Sequence, residues 1–303
     1  MRSLVALDWG TSSLRGARLA GDGSVVEERA FPRGILTVPP GGFSAVFAAH
    51  FGDWMEARGT LCLIAGMAGS QQGWLEAPYC PCPAGFVELT QRLAWVEPGR
   101  IAIVPGLSVE AGGVPDVMRG EETQVFGALR LLDAQDALIV LPGTHSKWVQ
   151  VRAGRIESFA TLMTGEFYAL LRRHSILART LPAEEKELHD ALSVGLNNDA
   201  FDAGVALALR GASLLHTAFS VRSLALFKRL EPSQAPNYLS GLVIGEELRS
   251  GSLARGSKVV IVGDAGLTGR YARALAQCGV GAQCLGAQAT WRGLHEIAMR
   301  LPA

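Results

Sequence analysis

The apolar and polar positions of this chain write one arrangement twice. Leu4–Leu7 is an apolar run that predicts a strand ending at Asp8, Leu14–Leu19 alternates as a half-buried strand does, Gly21-Asp22-Gly23 signals a turn, and Ser24–Phe31 continues as a further β-like run. The order returns in the middle of the chain. Ala137–Leu141 is apolar, Pro142-Gly143-Thr144-His145-Ser146 reads as a loop, Lys147–Arg152 alternates, Ala153-Gly154 turns, and Arg155–Phe159 runs back. Trp9-Gly10-Thr11-Ser12-Ser13 falls on Pro142-Gly143-Thr144-His145-Ser146 without a gap. The pattern therefore predicts two related α/β halves, each opening with a β-hairpin whose first turn carries Gly and Thr.

Between the hairpins, helical spacing predicts helices over Ala45–Ala57 and Phe86–Ala94, and short apolar runs predict strands over Leu61–Ala65 and Ile101–Val104. Residues 121–132 place Val125, Leu129 and Leu132 on one helical face, with Glu121 and Glu122 in the first turn, where the helix dipole favours carboxylates. This helix leads into the second half, which divides the chain into domains 1–132 and 133–303. Further helices are expected around Phe167–Leu177, Asp202–Thr217 and Tyr238–Leu248. Lys258–Val262 reads as a buried strand that enters the turn Gly263-Asp264-Ala265-Gly266-Leu267-Thr268-Gly269, and a helix follows over Arg270–Gln277.

Composition narrows the function classes. The chain has 303 residues, 49% of them apolar and 18% charged, which suits a globular protein of two ordinary domains. Formal net charge is zero and no Lys/Arg stripe exists, so nothing points to nucleic acid; a small-molecule or protein partner is expected, and a homo-oligomer is compatible. The start of the chain runs into a strand too early for a secretory signal, and no run approaches the roughly 20 apolar residues of a membrane span. Five cysteines, Cys62, Cys80, Cys82, Cys278 and Cys284, form no C-x-x-C pair, which predicts reduced thiols in the cytoplasm and no metal cage.

The glycine loops suggest chemistry. A Gly-Thr turn lets backbone N–H groups approach an anion, and Thr and Ser add hydroxyl donors. Two matching loops, at 10–13 and 143–147, with a third glycine turn at a helix N-terminus, predict a site for a nucleoside triphosphate. No G-x-x-x-x-G-K-[ST] motif and no G-x-G-x-x-G fingerprint is present, so neither a P-loop nor a Rossmann site supplies the cradle.

These segments resemble the sugar kinase, Hsp70 and actin superfamily. "DWGTSSLR" at 8–15, "AGMAGSQQGWLEAPY" at 65–79, "VMRGEETQVFGAL" at 117–129, "LPGTHSKWV" at 141–149 and "FATLMTGEFYALLRRHSIL" at 159–177 are similar, more narrowly, to the 2-dehydro-3-deoxygalactonokinase family. The resemblance spans nearly the whole chain. It implies an α/β fold of two duplicated actin-like, ribonuclease H-like domains with a cleft between them. It also implies phosphoryl transfer from ATP, with Mg²⁺, to the 6-hydroxyl of a 2-dehydro-3-deoxy sugar acid in galactonate catabolism.

The same resemblance distributes roles. Asp8 would hold Mg²⁺, and Gly10, Thr11, Ser12, Ser13, Gly143, Thr144, His145, Ser146 and Lys147 would contact phosphates. Gly263, Asp264, Ala265 and Gly266 would form the adenosine loop. In related sugar kinases the base follows Gly at the start of the inter-half helix; Glu121 matches that place, and Glu122 stays open beside it. Arg15 and Arg119 are both candidates for the substrate carboxylate. Ser70, Gln72 and Trp74 lie in a glycine-bounded loop suited to hydroxyl and keto-acid recognition, and Glu166 either reaches substrate or caps a helix. A galactonate-derived and a gluconate-derived acceptor differ by one hydroxyl orientation, and both stay open. An Hsp70-like ATPase switch shares the phosphate loops but has no use for the 65–79 loop or the Arg119-Gly120-Glu121-Glu122 cluster.

Overall fold

The computed structural model describes residues 3–182, 198–251 and 253–301. Nine strands precede the helix Glu121–Leu132: β1 (Leu4–Trp9), β2 (Leu14–Leu19), β3 (Val25–Phe31), β4 (Leu61–Ala65), β5 (Cys80–Pro81), β6 (Ala94–Glu97), β7 (Ile101–Ile103), β8 (Leu107–Ala111) and β9 (Val114–Met118). Among the described residues five follow it: β10 (Ala137–Leu141), β11 (Ser146–Arg152), β12 (Arg155–Leu162), β13 (Lys258–Val262) and β14 (Gly281–Leu285).

One sheet runs β3-β2-β1-β4-β7-β6 and another β12-β11-β10-β13-β14. In each, the hairpin strands appear in reverse chain order and the later strand of the same half joins beside the first. The duplication read from the loops is thus also a duplication of topology. β1 pairs antiparallel with β2, placing Asp8 opposite Arg15, and parallel with β4, placing Asp8 beside Ala65. A small third sheet, β5-β8-β9, had no counterpart in the sequence expectations.

Packing divides the chain into two compact units: the described parts of 1–139, 148–161 and 285–303 in one, and of 140–147 with 162–284 in the other. In the first, β1 and β4 are apolar almost throughout because sheet neighbours and helices cover them. Val5, Leu7, Trp9, Ile64 and Ile103 meet Phe43, Phe47 and Phe51 of the helix Phe43–Phe51 in one core. The helix Gln288–Ala298 packs on β1, β2 and β4, and the helix Glu121–Leu132 packs against it. These cross so closely that a Cβ on Gly127 would lie 1.7 Å from the Ala289 carbonyl oxygen, and one on Gly293 1.8 Å from that of Thr123. In the second unit, the helices Asn198–Leu209 and Ala235–Ser250 bring Ala200, Tyr238, Leu239, Leu242 and Val243 into a common cluster.

Several boundaries move for local reasons. The helix expected over Ala45–Ala57 ends at Phe51, and a 3-10 turn over Asp53–Met55 takes over, bringing the Trp54 ring under the Arg29 guanidinium at 4.3 Å. The segment Asp202–Thr217 is two helices, because Gly211 adopts φ +91° between Leu209 and Leu214. The helix expected from Arg270 starts at Ala265, where the Asp264 carboxylate accepts from the Gly266 N–H as an N-cap. The helix Gln288–Ala298 was not anticipated. No helix among the described residues is long and apolar enough to cross a membrane.

Candidate active site

The first unit collects one set of candidate groups at the end of β1. Trp9 is fully buried and its indole N–H donates to the Arg33 carbonyl, which anchors the turn that follows. The Gly10 N–H donates to the Ser13 carbonyl, and the Gly10 and Thr11 carbonyls accept from Ile35 and Leu36. The loop is therefore backed by residues 34–36, and its Thr11, Ser12 and Ser13 side chains stand exposed. Asp8 pairs with Arg15 across the hairpin at 2.5 Å. Arg15, one of the two arginines expected to meet a substrate carboxylate, is thus engaged by Asp8.

Two glycines with left-handed backbones bring the other elements to Asp8. Gly66 (φ +90°) follows β4; a Cβ there would lie 2.8 Å from the Trp9 carbonyl oxygen and 3.3 Å from Asp8 Oδ1. Gly120 (φ +105°) precedes the helix Glu121–Leu132, and a Cβ on it would lie 3.1 Å from Gly66 Cα. Asp8, Gly66 and the start of that helix are consequently neighbours, which puts Glu121 in the same region as Asp8.

The adjacent glutamates have different surroundings. The Arg119 N–H donates to Glu121 Oε2 at 2.9 Å, and Glu121 is half-buried. Glu122 is fully buried; the Gly120 N–H donates to its Oε2 at 2.7 Å, while Oε1 has no hydrogen-bond partner. Burial, reinforced by the Glu121 charge, pushes the Glu122 carboxyl up to about 8.

Arg119 is locked into the 65–79 loop. One terminal nitrogen donates to the Ala77 carbonyl at 2.8 Å, and the guanidinium lies over the Tyr79 ring at 4.4 Å. Its Nε and its other terminal nitrogen are buried without a hydrogen-bond partner, as is Ser70 Oγ in the same loop. Gln72 is exposed. Trp74 faces elsewhere, with its ring 6.1 Å from Trp9 and 5.4 Å from Phe47, in the margin of the core.

The second unit carries the other candidates. Gly143 leaves open space where a Cβ would stand, and Thr144 and His145 are exposed. The helix Thr164–His174 backs this loop: the Glu166 N–H donates to the Thr144 carbonyl at 3.0 Å, and Gly165 passes so close that a Cβ would lie 2.5 Å from the Gly143 oxygen. Glu166 also pairs with His145 through Nε2 at 2.5 Å. Ser146 and Lys147 are buried, and Ser146 Oγ meets the Tyr271 hydroxyl at 2.9 Å. The turn Gly263–Gly266 runs from β13 into the helix Ala265–Gln277, with Asp264 and Ala265 exposed. Gly66, Tyr79, Tyr271 and Glu247 were not singled out in the sequence. Gly66 stood inside a quoted segment, but only the fold shows what it approaches.

Two duplicated sheets of this order make an actin-like fold. The chain matches the structure of (R)-2-hydroxyglutaryl-CoA dehydratase component A from Acidaminococcus fermentans at TM-score 0.51 and 13% identity, over 99% of this chain and 97% of that one. It matches a ROK family glucokinase from Streptomyces griseus, in complex with glucose and AMPPNP, at TM-score 0.50 and 12% identity, over 99% and 100%. Such identities speak for the fold. Within that fold, residues 8–297 match the family model of 2-keto-3-deoxy-galactonokinase, and the chain belongs to this family of sugar-acid kinases. It is 36% identical over 297 residues to the 2-dehydro-3-deoxygalactonokinase of Escherichia coli strain K12, covering 97% of each chain. The crystal structure of a Sinorhizobium meliloti protein provisionally assigned the same activity matches at TM-score 0.86 and 34% identity, over 97% of this chain and 98% of that one.

Proposed function

We propose that the protein transfers the γ-phosphoryl group of ATP to the 6-hydroxyl of 2-dehydro-3-deoxy-D-galactonate, giving the 6-phosphate and ADP in cytoplasmic galactonate catabolism. The observation that carries the acceptor assignment is the set of orphaned donors beside Glu121: Arg119 Nε, one Arg119 terminal nitrogen and Ser70 Oγ are buried and unpaired. Unpaired buried donors of this kind are costly, and a carboxylate with neighbouring hydroxyl or keto oxygens satisfies them.

Phosphoryl transfer is mostly positioning and charge neutralisation. Glu121 accepts the proton of the attacking hydroxyl as its oxygen bonds to phosphorus and the bond to the ADP oxygen breaks. Glu122 is less suited to that task, because it is fully buried, its Oε2 already accepts from the Gly120 N–H, and burial pushes its carboxyl up to about 8, toward the protonated form. Arg119 and Ser70 orient the acid end of the acceptor. Loops 10–13 and 143–147 contact phosphate oxygens, and the 263–266 turn contacts adenosine.

Among the described residues no group of three or more His, Cys, Asp or Glu side chains converges on a metal. Magnesium in phosphoryl-transfer sites commonly uses one or two carboxylates together with substrate phosphates. The Asp8 carboxylate, 17% exposed beside the hydroxyl loop, fits that donor set. When bound there, Mg²⁺ neutralises charge on the phosphates.

The test is ADP release with Mg-ATP against a panel of 2-keto-3-deoxy sugar acids, simple sugars, glycerol and no acceptor. The expected result is release that requires the galactonate-derived acid. Equal release without any acceptor would sink the proposal and favour an ATPase switch; preference for the gluconate-derived acid would keep the chemistry and change the substrate.

A further inference from the structure

We propose that Glu247 is a positioning residue for nucleotide binding, fixing loop 143–147 and turn 263–266 through the hydroxyls of Tyr271, Ser146 and Thr164. The assignment of these loops to the nucleotide rests on the kinase reading above; the network itself lies wholly in the second unit.

The geometry is directional. Tyr271 donates its hydroxyl to Glu247 Oε2 at 2.6 Å, and Thr164 donates to the same oxygen. With the Tyr271 proton committed to Glu247, Ser146 donates to the Tyr271 oxygen. One acceptor therefore orders three hydroxyls from three different segments. Ser146 ends the second phosphate loop, Thr164 begins the helix whose Glu166 N–H holds the Thr144 carbonyl, and Tyr271 sits on the helix that starts at the 263–266 turn.

Burial argues that this arrangement serves position. Ser146 and Tyr271 are at most 1% exposed, Glu247 is 2% and Thr164 8%. A carboxylate in such surroundings brings a desolvation cost that well-packed apolar side chains avoid, so its stability value is small while its geometric value is large. Satisfied buried networks fix a single arrangement of the segments they join. The Ser146 hydroxyl is thereby turned inward, and its contribution to ATP binding is to set the position of the loop.

The experiment uses the full chain and two variants that each delete one hydroxyl, Tyr271→Phe and Ser146→Ala, with Glu247→Gln as the conservative replacement. KM for ATP is expected to rise about tenfold in each deletion variant, the scale of one lost hydrogen bond, while KM for the acceptor stays within about twofold. The double variant should be no worse than Tyr271→Phe alone, since both deletions remove the same link, and Glu247→Gln, whose amide oxygen still accepts from these hydroxyls, should raise KM for ATP less than Tyr271→Phe does. Folded variants with an unchanged KM for ATP, or with both KM values raised equally, would overturn the proposal. ADP affinity by calorimetry on the same proteins separates it from the kinase reading. If wild type binds ADP, the variants bind it more weakly, and no sugar acid is phosphorylated, only the kinase reading falls; if wild type binds no nucleotide, both fall.

Discussion

The loop after β1 and the loop after β10 share a backbone plan and differ in charge. In the gap-free match between them, Asp8 falls on Leu141 and Arg15 on Trp148, while the buried Leu14 falls on the buried Lys147. The first loop thus has an acid at the strand end, paired across the hairpin with Arg15. The second has an apolar residue there and a cation one position after the loop. A duplicated turn supplies N–H and hydroxyl donors twice, but the acid is kept once and the lysine once. Duplication provided the scaffold, and substitution at matched positions divided the charges between the loops, the carboxylate at the end of β1 and the ammonium at the start of β11.

The acidic side of the comparison yields the largest expected effect. Asp8→Asn is expected to lower kcat by about 10³-fold, comparable to removing a charge-stabilising group from an active site, with thermal unfolding little changed. Glu121→Gln should cost about 10²–10⁴-fold, as loss of a general base does, whereas Glu122→Gln should cost less than about tenfold. Steady-state kinetics on the three variants checks the set. If Asp8→Asn retained most of its activity, the charge difference between the loops would have no catalytic meaning.

Beneath the difference the units share a structural device, and the next effect falls on it. Gly127 and Gly293 let two helices touch backbone to backbone in the first unit, and in the second a Cβ on Gly241 would lie 2.1 Å from the Phe201 carbonyl oxygen. Gly127→Ala and Gly241→Ala should each destabilise by about 3 kcal/mol or more, the upper range for overpacking, read by urea unfolding. A loss in one unit alone would show that the parallel is superficial.

These crossings also mark where sequence reading stops. The hairpins, the Gly-Thr loops and the helix Glu121–Leu132 were legible because period-two alternation, turn residues and helical spacing are local signals. The helix Gln288–Ala298 was missed, although it covers the helix carrying Glu121; its Gly293 reads as a weakness in a helix until the Thr123 carbonyl is seen against it. Arg119 was legible as a cation near Glu121, but its stacking on Tyr79 was not, since that depends on β5 and β8 forming a sheet with no strong pattern. The inward turn of Ser146 is likewise a tertiary fact: the residue aligns with exposed Ser13, and only Tyr271 distinguishes them.

A smaller effect tests whether both loops approach a ligand. A Cβ on Gly10 would meet only Ser13 atoms, the nearest at 3.6 Å, and one on Gly143 would meet nothing within 4 Å. Neither glycine is therefore demanded by packing. Gly10→Ala and Gly143→Ala should leave the unfolding midpoint unchanged or slightly raised, by up to about 1 kcal/mol in stability, because alanine restricts the unfolded chain. Both should nevertheless weaken ATP about tenfold, since the methyl group keeps phosphate oxygens away from the loop amides. A variant that binds ATP normally would remove its loop from the nucleotide site.

The smallest effect concerns a titration present in the first unit. Glu122 is buried behind Gly120, whereas Glu166, in the first turn of the helix Thr164–His174, is partly exposed and paired with His145. The Glu122 carboxyl is raised from 4.5 in the unfolded chain to about 8 in the folded one. Between those values the unfolded state loses its proton first, so the folded state binds more protons and stability falls as pH rises; above about 8 the contribution levels off. Urea midpoints of wild type should therefore decline between about pH 5 and about pH 8, and Glu122→Gln should flatten that decline while gaining most at the alkaline end. If the variant kept the full wild-type slope, the slope would have to come from other groups, and the upward shift of the buried Glu122 carboxyl would lose its physical basis.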